Sequence, residues 1–86
     1  MTLARINAKL AAVNVELVKG AGYHYYVFDD GQHFASESVM VCYTNHVAPA
    51  RWIADGLAFG EREKLVAAER AAELVRTGPL VLAGGR

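Results

Sequence analysis

The chain has 86 residues, enough for one domain and too few for two. Hydrophobic residues make up 53% of it and charged ones 21%, which argues for a packed globule over a disordered tail. Nine basic residues balance nine acidic ones, so it shows neither the basic surplus of a dedicated nucleic-acid binder nor the acidic bias of a DNA mimic.

Residues 2–11 read as a short amphipathic helix, because Leu3, Ile6, Leu10 and Val13 recur at three- and four-residue intervals. Thr2 suits its N-cap. From Val13 the period changes to two, with Val13, Val15 and Leu17 alternating with Asn14, Glu16 and Val18, as in a half-buried strand. Gly20-Ala21-Gly22 supplies a tight reversal, and Tyr23-His24-Tyr25-Tyr26-Val27-Phe28 reads as a second strand rich in aromatics. Asp29-Asp30-Gly31 is the strongest hairpin signal, since Asp-Gly suits a type I′ turn. Residues 32–35 pair back across this turn, Ser36-Glu37-Ser38 forms a bulge, and the third strand is expected to be clearest at 38–43.

Thr44–Ala48 reads as a loop, and Pro49 fits the first turn of a helix whose inner face carries Trp52, Ile53 and Leu57. Gly56 and Gly60 weaken that helix, each by about 1 kcal/mol relative to Ala. A break is therefore expected near Gly60, with a third helix from Glu61, although one helix over 49–77 is the alternative. Leu65, Ala68, Ala72 and Val75 form the stripe of the third helix, with Glu61, Glu63 and Arg70 solvated. Thr77-Gly78-Pro79 is a stop signal, and residues 79–86 form a tail expected to dock as a short strand or stay mobile. The fold class is α+β, in the order α-β-β-β-α-α. It comprises an N-terminal helix, a three-stranded antiparallel meander, and one or two C-terminal helices on one sheet face, all in a single domain over 1–86.

Catalytic chemistry finds little to stand on. His24, His33 and His46 match no compact ligand spacing with Asp29, Asp30 or Cys42, so no metal or cofactor is expected. His24 reads as an ordinary strand residue and His46 as an ordinary loop residue. Cys42, the single cysteine, lies in Val39-Met40-Val41-Cys42-Tyr43 and reads as a buried, reduced thiol. Asp29 and Asp30 are better explained by the turn than as paired carboxylates. With no secretion signal at residues 1–9 and no apolar run of about 20 residues, a cytoplasmic location away from membranes is expected.

The aromatics are more informative. Tyr23, Tyr25 and Val27 point to one face of the second strand, and His24, Tyr26 and Phe28 to the other. Helices can cover one face, which leaves the other solvated, used for binding, or covered by further chain. Tyr23, Tyr25, Tyr26 and Trp52 are the candidate binding residues, at least one of them in an exposed contact patch. A protein partner is favoured over single-stranded nucleic acid, because the chain has no positive surplus to hold phosphates; a nucleic-acid module would use the same aromatics with Lys19, Arg51 and Arg62. The small core, aromatic sheet and apolar tail favour a homodimer without requiring one.

Glu16-Leu17-Val18-Lys19-Gly20-Ala21-Gly22-Tyr23-His24-Tyr25-Tyr26-Val27, then Ser38-Val39-Met40-Val41 and Trp52, carry a family resemblance. This run resembles a group of small bacteriophage and prophage accessory proteins with a GxGYxY hairpin, an SVxV strand and a helix bearing Trp. The resemblance covers residues 13–59, and the segment 61–86 departs from its pattern. It implies a non-enzymatic protein that binds a host protein or complex, such as an inhibitor of a host defence complex of the CRISPR–Cas kind. The alternative is a small nucleic-acid-binding module using an aromatic sheet face. The element order is also similar to that of double-stranded-RNA-binding domains, but Pro49-Ala50-Arg51-Trp52 stands where their basic cluster would be.

Overall fold

A computed structural model describes the backbone of residues 2–84 and the side chains of residues 2–73. It contains helix α1 (Leu3–Leu10), strands β1 (Val15–Lys19), β2 (His24–Asp29) and β3 (Phe34–Val39), and helix α2 (Pro49–Gly84). The strands form one antiparallel sheet in the order β1-β2-β3. Both helices lie on the same face of it, giving the α+β architecture expected from the sequence.

Thr2 caps α1, its side-chain oxygen accepting the Arg5 N–H at 3.3 Å. The helix ends in a 3-10 turn at Ala11–Val13, and Asn14 takes a left-handed φ of 60°. That single residue reverses the chain, so β1 starts at Val15, two residues later than the alternation alone suggests. Asn7 then ties α1 to β1. Its Nδ2 donates to the Leu17 carbonyl at 3.0 Å, and its Oδ1 accepts the Leu17 N–H at 2.6 Å. The side-chain amide thus stands in for a neighbouring strand at the sheet edge. Replacing Asn7 by Ala leaves both Leu17 groups without these partners and is expected to cost about 1–2 kcal/mol. A lowered urea midpoint with faster exchange of the Leu17 amide is the expected result. An unchanged midpoint would show that water serves that edge equally well.

Where β3 lies differs from the expectation. It pairs over Phe34–Val39 with no bulge, in the register Val27↔Ser36, Tyr26↔Glu37 and Tyr25↔Ser38. The apolar run 40–43 leaves the sheet instead, as the Val41 N–H turns back to the Val39 carbonyl at 2.8 Å. The hairpin connection is Asp30–His33, longer than a two-residue type I′ loop. Gly31 adopts a φ of 92° within it, and Asp30 Oδ1 accepts the N–H groups of Gln32 and His33 at 2.9 and 2.7 Å. The Asp carboxylate clamps the wider loop.

Helix α2 is one continuous element through Gly60, and it also passes the expected stop at Thr77-Gly78-Pro79. Extending a formed helix needs no new nucleus, so weak formers are carried along. Leu80–Ala83, expected as a docked strand or mobile tail, is the end of this helix, while residues 85–86 lie outside the described ones. Continuity has a second consequence. Trp52, Gly56 and Phe59 set the phase, so Gly60, Glu63 and Ala67 follow on the core side. Leu65, 67% exposed, points away with Ala68 and Ala72. The expected stripe could face the sheet only if a break had reset the phase.

The core joins Ile6 and Leu10 of α1, Val13, Val15 and Leu17, Tyr26 and Phe28 of β2, and Trp52 and Phe59 of α2. Among the described residues no helix is long and apolar enough to cross a membrane.

Candidate functional site

The four candidate aromatics divide between the two sides of the sheet. Tyr26 and Trp52 are 1% exposed and belong to the core. Tyr23 and Tyr25 are half-buried on the opposite, outer face. Alternation along β2 explains the separation, since neighbouring residues face opposite ways.

On the inner side, polar groups are matched within the chain. The Tyr26 hydroxyl donates to the Trp52 carbonyl at 2.8 Å. Burial, with smaller contributions from the Asp55 and Glu37 charges, pushes this hydroxyl above the ordinary phenol range. Trp52 Nε1 donates to the Thr44 carbonyl at 2.7 Å. His24 is fully buried, with its ring centroid 5.0 Å from that of Trp52. Its Nδ1 lies 2.7 Å from the Val41 carbonyl and its Nε2 lies 2.8 Å from Thr44 Oγ1. A carbonyl only accepts, so Nδ1 carries the proton and donates. His24 therefore pins the crossover from β3 to α2, a larger role than that of an ordinary strand residue.

Cys42 is exposed, contrary to the expectation of a buried thiol. The reason is that its segment is not a strand, and it is the neighbouring Val41 that packs against the core while Cys42 faces out. Its Sγ donates to the Gly22 carbonyl at 3.3 Å, placing the crossover beside the β1–β2 turn. Tyr43 lies nearby, 58% exposed, with Lys19 Nζ 6.0 Å from its ring centroid and the exposed His46 ring at 5.0 Å.

His33, 9% exposed, donates from Nε2 to Glu63 Oε1 at 2.9 Å and ties the β2–β3 loop to α2. Glu63 is thus a structural partner and not a fully solvated charge. A groove of about 440 Å³ runs beside this pair, with Asp30, Gln32, Lys64 and Arg70 in its walls. The backbone N–H groups of Gln32 and His33 hold the Asp30 carboxyl below the ordinary range, consistent with a turn clamp. Among the described residues no three His, Cys, Asp or Glu side chains are grouped to hold a metal ion.

The outer face has a different character. Val18, Tyr25 and Ser38 form one cross-strand row, and Glu16, Val27 and Ser36 the next. The Tyr23 and Tyr25 rings lie 5.8 Å apart and tilted by 34°. Phe34, opposite Asp29, extends the apolar surface with 66% of its area exposed. Two of the three basic residues proposed to accompany these aromatics are arranged poorly for phosphate. Arg51 pairs with Asp55 at 2.8 Å and Arg62 with Glu37 at 3.1 Å, both from α2 on the other side of the sheet. Comparison with protein-family models, with curated proteins and with solved structures gives no match.

Proposed function

We propose that this chain is a non-enzymatic interaction protein that binds a protein partner through the outer face of its sheet, centred on Tyr23 and Tyr25. The observation that carries this reading is the tilted tyrosine pair lying on a face that neither helix covers. Two rings with polar tips, flanked by Val18, Val27 and small serines, offer apolar contact area at low entropic cost. Such an arrangement suits a partner surface better than a phosphate backbone, since Glu16 lies on the same face and Arg51 and Arg62 are engaged elsewhere. The partner in this reading is a host protein or complex, with a defence complex as the leading case, which is what the resemblance to phage accessory proteins implies. For a non-catalytic role, His24 and Asp30 are already committed to intrachain hydrogen bonds, and His33 to Glu63.

The test is capture from nuclease-treated host lysate by the wild-type chain and by a Tyr23→Ala/Tyr25→Ala variant. A stoichiometric protein retained by the wild type and reduced at least about tenfold by the variant, a change of about 1.4 kcal/mol, is the expected result. Equal retention by a variant with an unchanged thermal midpoint would remove the outer face from the reading. Capture of nucleic acid alone, weakening steeply with salt, would replace it with the nucleic-acid reading.

A further inference from the structure

The two free edges of the sheet are not treated alike. Bonds at the strand ends show which way each backbone group points. The Gly20 N–H bonds the Tyr23 carbonyl at 2.7 Å and the Asp29 N–H bonds that of Asn14 at 3.1 Å. In an antiparallel pair bonded and non-bonded residues alternate, so Leu17 turns its groups away from β2, where Asn7 receives both. That edge is closed at its middle. On the other side, the Asp30 N–H bonds the His33 carbonyl at 3.3 Å. The same alternation directs Ala35 and Glu37 toward β2, and directs Phe34, Ser36 and Ser38 outward. Among the described residues nothing caps these three.

Strand β3 also lacks the usual protections of an edge. It has no Pro, Lys or bulge, and its only charge, Glu37, is held by Arg62 at 3.1 Å. From this we infer that β3 is a homodimerisation edge, pairing antiparallel with β3 of a second copy about a two-fold axis at Ser36. A two-fold axis normal to the sheet keeps all helices on one face and joins the two three-stranded sheets into one.

The register follows from the sequence of the edge. Outward residues must oppose outward residues, so alternative pairings differ in steps that preserve the faces. With the axis at Ser36, Phe34 opposes the partner's Ser38 and Ser36 opposes the partner's Ser36. Phe34, Ser36 and Ser38 then exchange both backbone bonds, about six in all. With the axis at Glu37, two carboxylates would face each other in a close non-bonded pair, about 4.5 Å between Cα atoms. At Ser36, Glu37 faces the partner's Ala35 instead. A formal net charge of zero also removes long-range repulsion between copies. The 66%-exposed Phe34 gains a neighbour, since the small Ser38 opposite leaves room toward the partner's Tyr25. This pairing uses the sheet edge and does not rest on the outer face binding another protein.

The interface is small, so dimerisation in the micromolar range is expected. Sedimentation of the full chain from about 1 to about 500 µM should show a monomer–dimer equilibrium. Ser36→Pro removes an N–H that points outward and none that β2 uses. It should retain the wild-type circular dichroism yet stay monomeric throughout, while Ser36→Ala dimerises like the wild type. Amide exchange gives a second reading that needs no variant. Phe34, Ser36 and Ser38 should be protected at high concentration and lose protection on dilution, while Ala35 and Glu37 stay protected. A wild type that is monomeric at every concentration, or a folded Ser36→Pro variant that dimerises normally, overturns the proposal. So does a dimer in which those three amides exchange equally fast at both concentrations.

Discussion

Replacing Trp52 by Ala is expected to remove most of the chain's stability at room temperature. The ring is 1% exposed and lies against His24 at 5.0 Å and Tyr26 at 6.1 Å between centroids. Losing a buried Trp costs about 3–5 kcal/mol in transfer and cavity terms. A domain of this size has about 5 kcal/mol in total. The loss also orphans the Thr44 carbonyl, which receives the indole N–H, and so loosens the crossover that His24 anchors through Val41 and Thr44. Trp52→Phe separates the two effects. It keeps most of the ring but not the donor, and should cost about 1–3 kcal/mol, with the smaller ring volume adding to the orphaned acceptor. Urea denaturation followed by far-ultraviolet circular dichroism measures both. A midpoint for Trp52→Ala within error of the wild type would refute the central place given to this side chain.

Local pattern and tertiary choice contributed unequally to what could be read in advance. The alternation along β2 separates Tyr23 and Tyr25 from Tyr26 and Phe28, because pleat parity is a property of the backbone alone. It does not say which set is covered. That depends on where α2 docks, and the docking side is fixed by residues distant in sequence, Ile6, Leu10 and Phe59 among them. Tyr26 could be taken for a surface residue because its hydroxyl needs a partner, and that partner is a helix carbonyl at Trp52. A usable signal for His24 was present. Sharing parity with Tyr26 and Phe28, it had to be either on the outer face with them or buried with two polar partners.

The third strand lies earlier than β propensity alone suggests, since propensity favours the apolar run Val39–Tyr43 over Phe34-Ala35-Ser36-Glu37-Ser38-Val39. An edge strand buries little, so propensity is a weak guide there, and the register is set by the Asp30 clamp on the preceding loop. Cys42 lies in that same run, so its exposure has the same cause. The pair His33–Glu63, thirty residues apart in the chain, leaves no local trace at all.

Glycine at position 60 supplies the other large expected effect, and its sign runs against helix propensity. In an exposed helix, Gly→Ala gains about 1 kcal/mol. Here a Cβ would lie 2.5 Å from Val13 Cγ2, 2.8 Å from Val13 Cβ and 2.9 Å from Val15 Cγ2. Real side chains essentially never approach so closely. Val13 is β-branched, so its Cβ moves only with the backbone, and the backbone at Val13 is held between the 3-10 turn and the left-handed Asn14. The helix must therefore withdraw from β1, which opens the contact of Phe59 with Tyr26, now 6.0 Å between ring centroids. Overpacking of this kind costs about 1–3 kcal/mol. Gly60→Ala should accordingly be destabilised despite its better helix propensity, and Gly60→Val more so. Gly56 differs in degree, because its two nearest neighbours, at 2.6 and 2.8 Å, are Leu10 methyl tips that can rotate at the expense of local packing, and the edge of the Tyr26 ring, at 2.9 Å, must shift as well. The order of thermal midpoints should be wild type, then Gly56→Ala, then Gly60→Ala, then Gly60→Val. A Gly60→Ala variant melting above the wild type would mean that α2 sits farther from β1 than these distances place it.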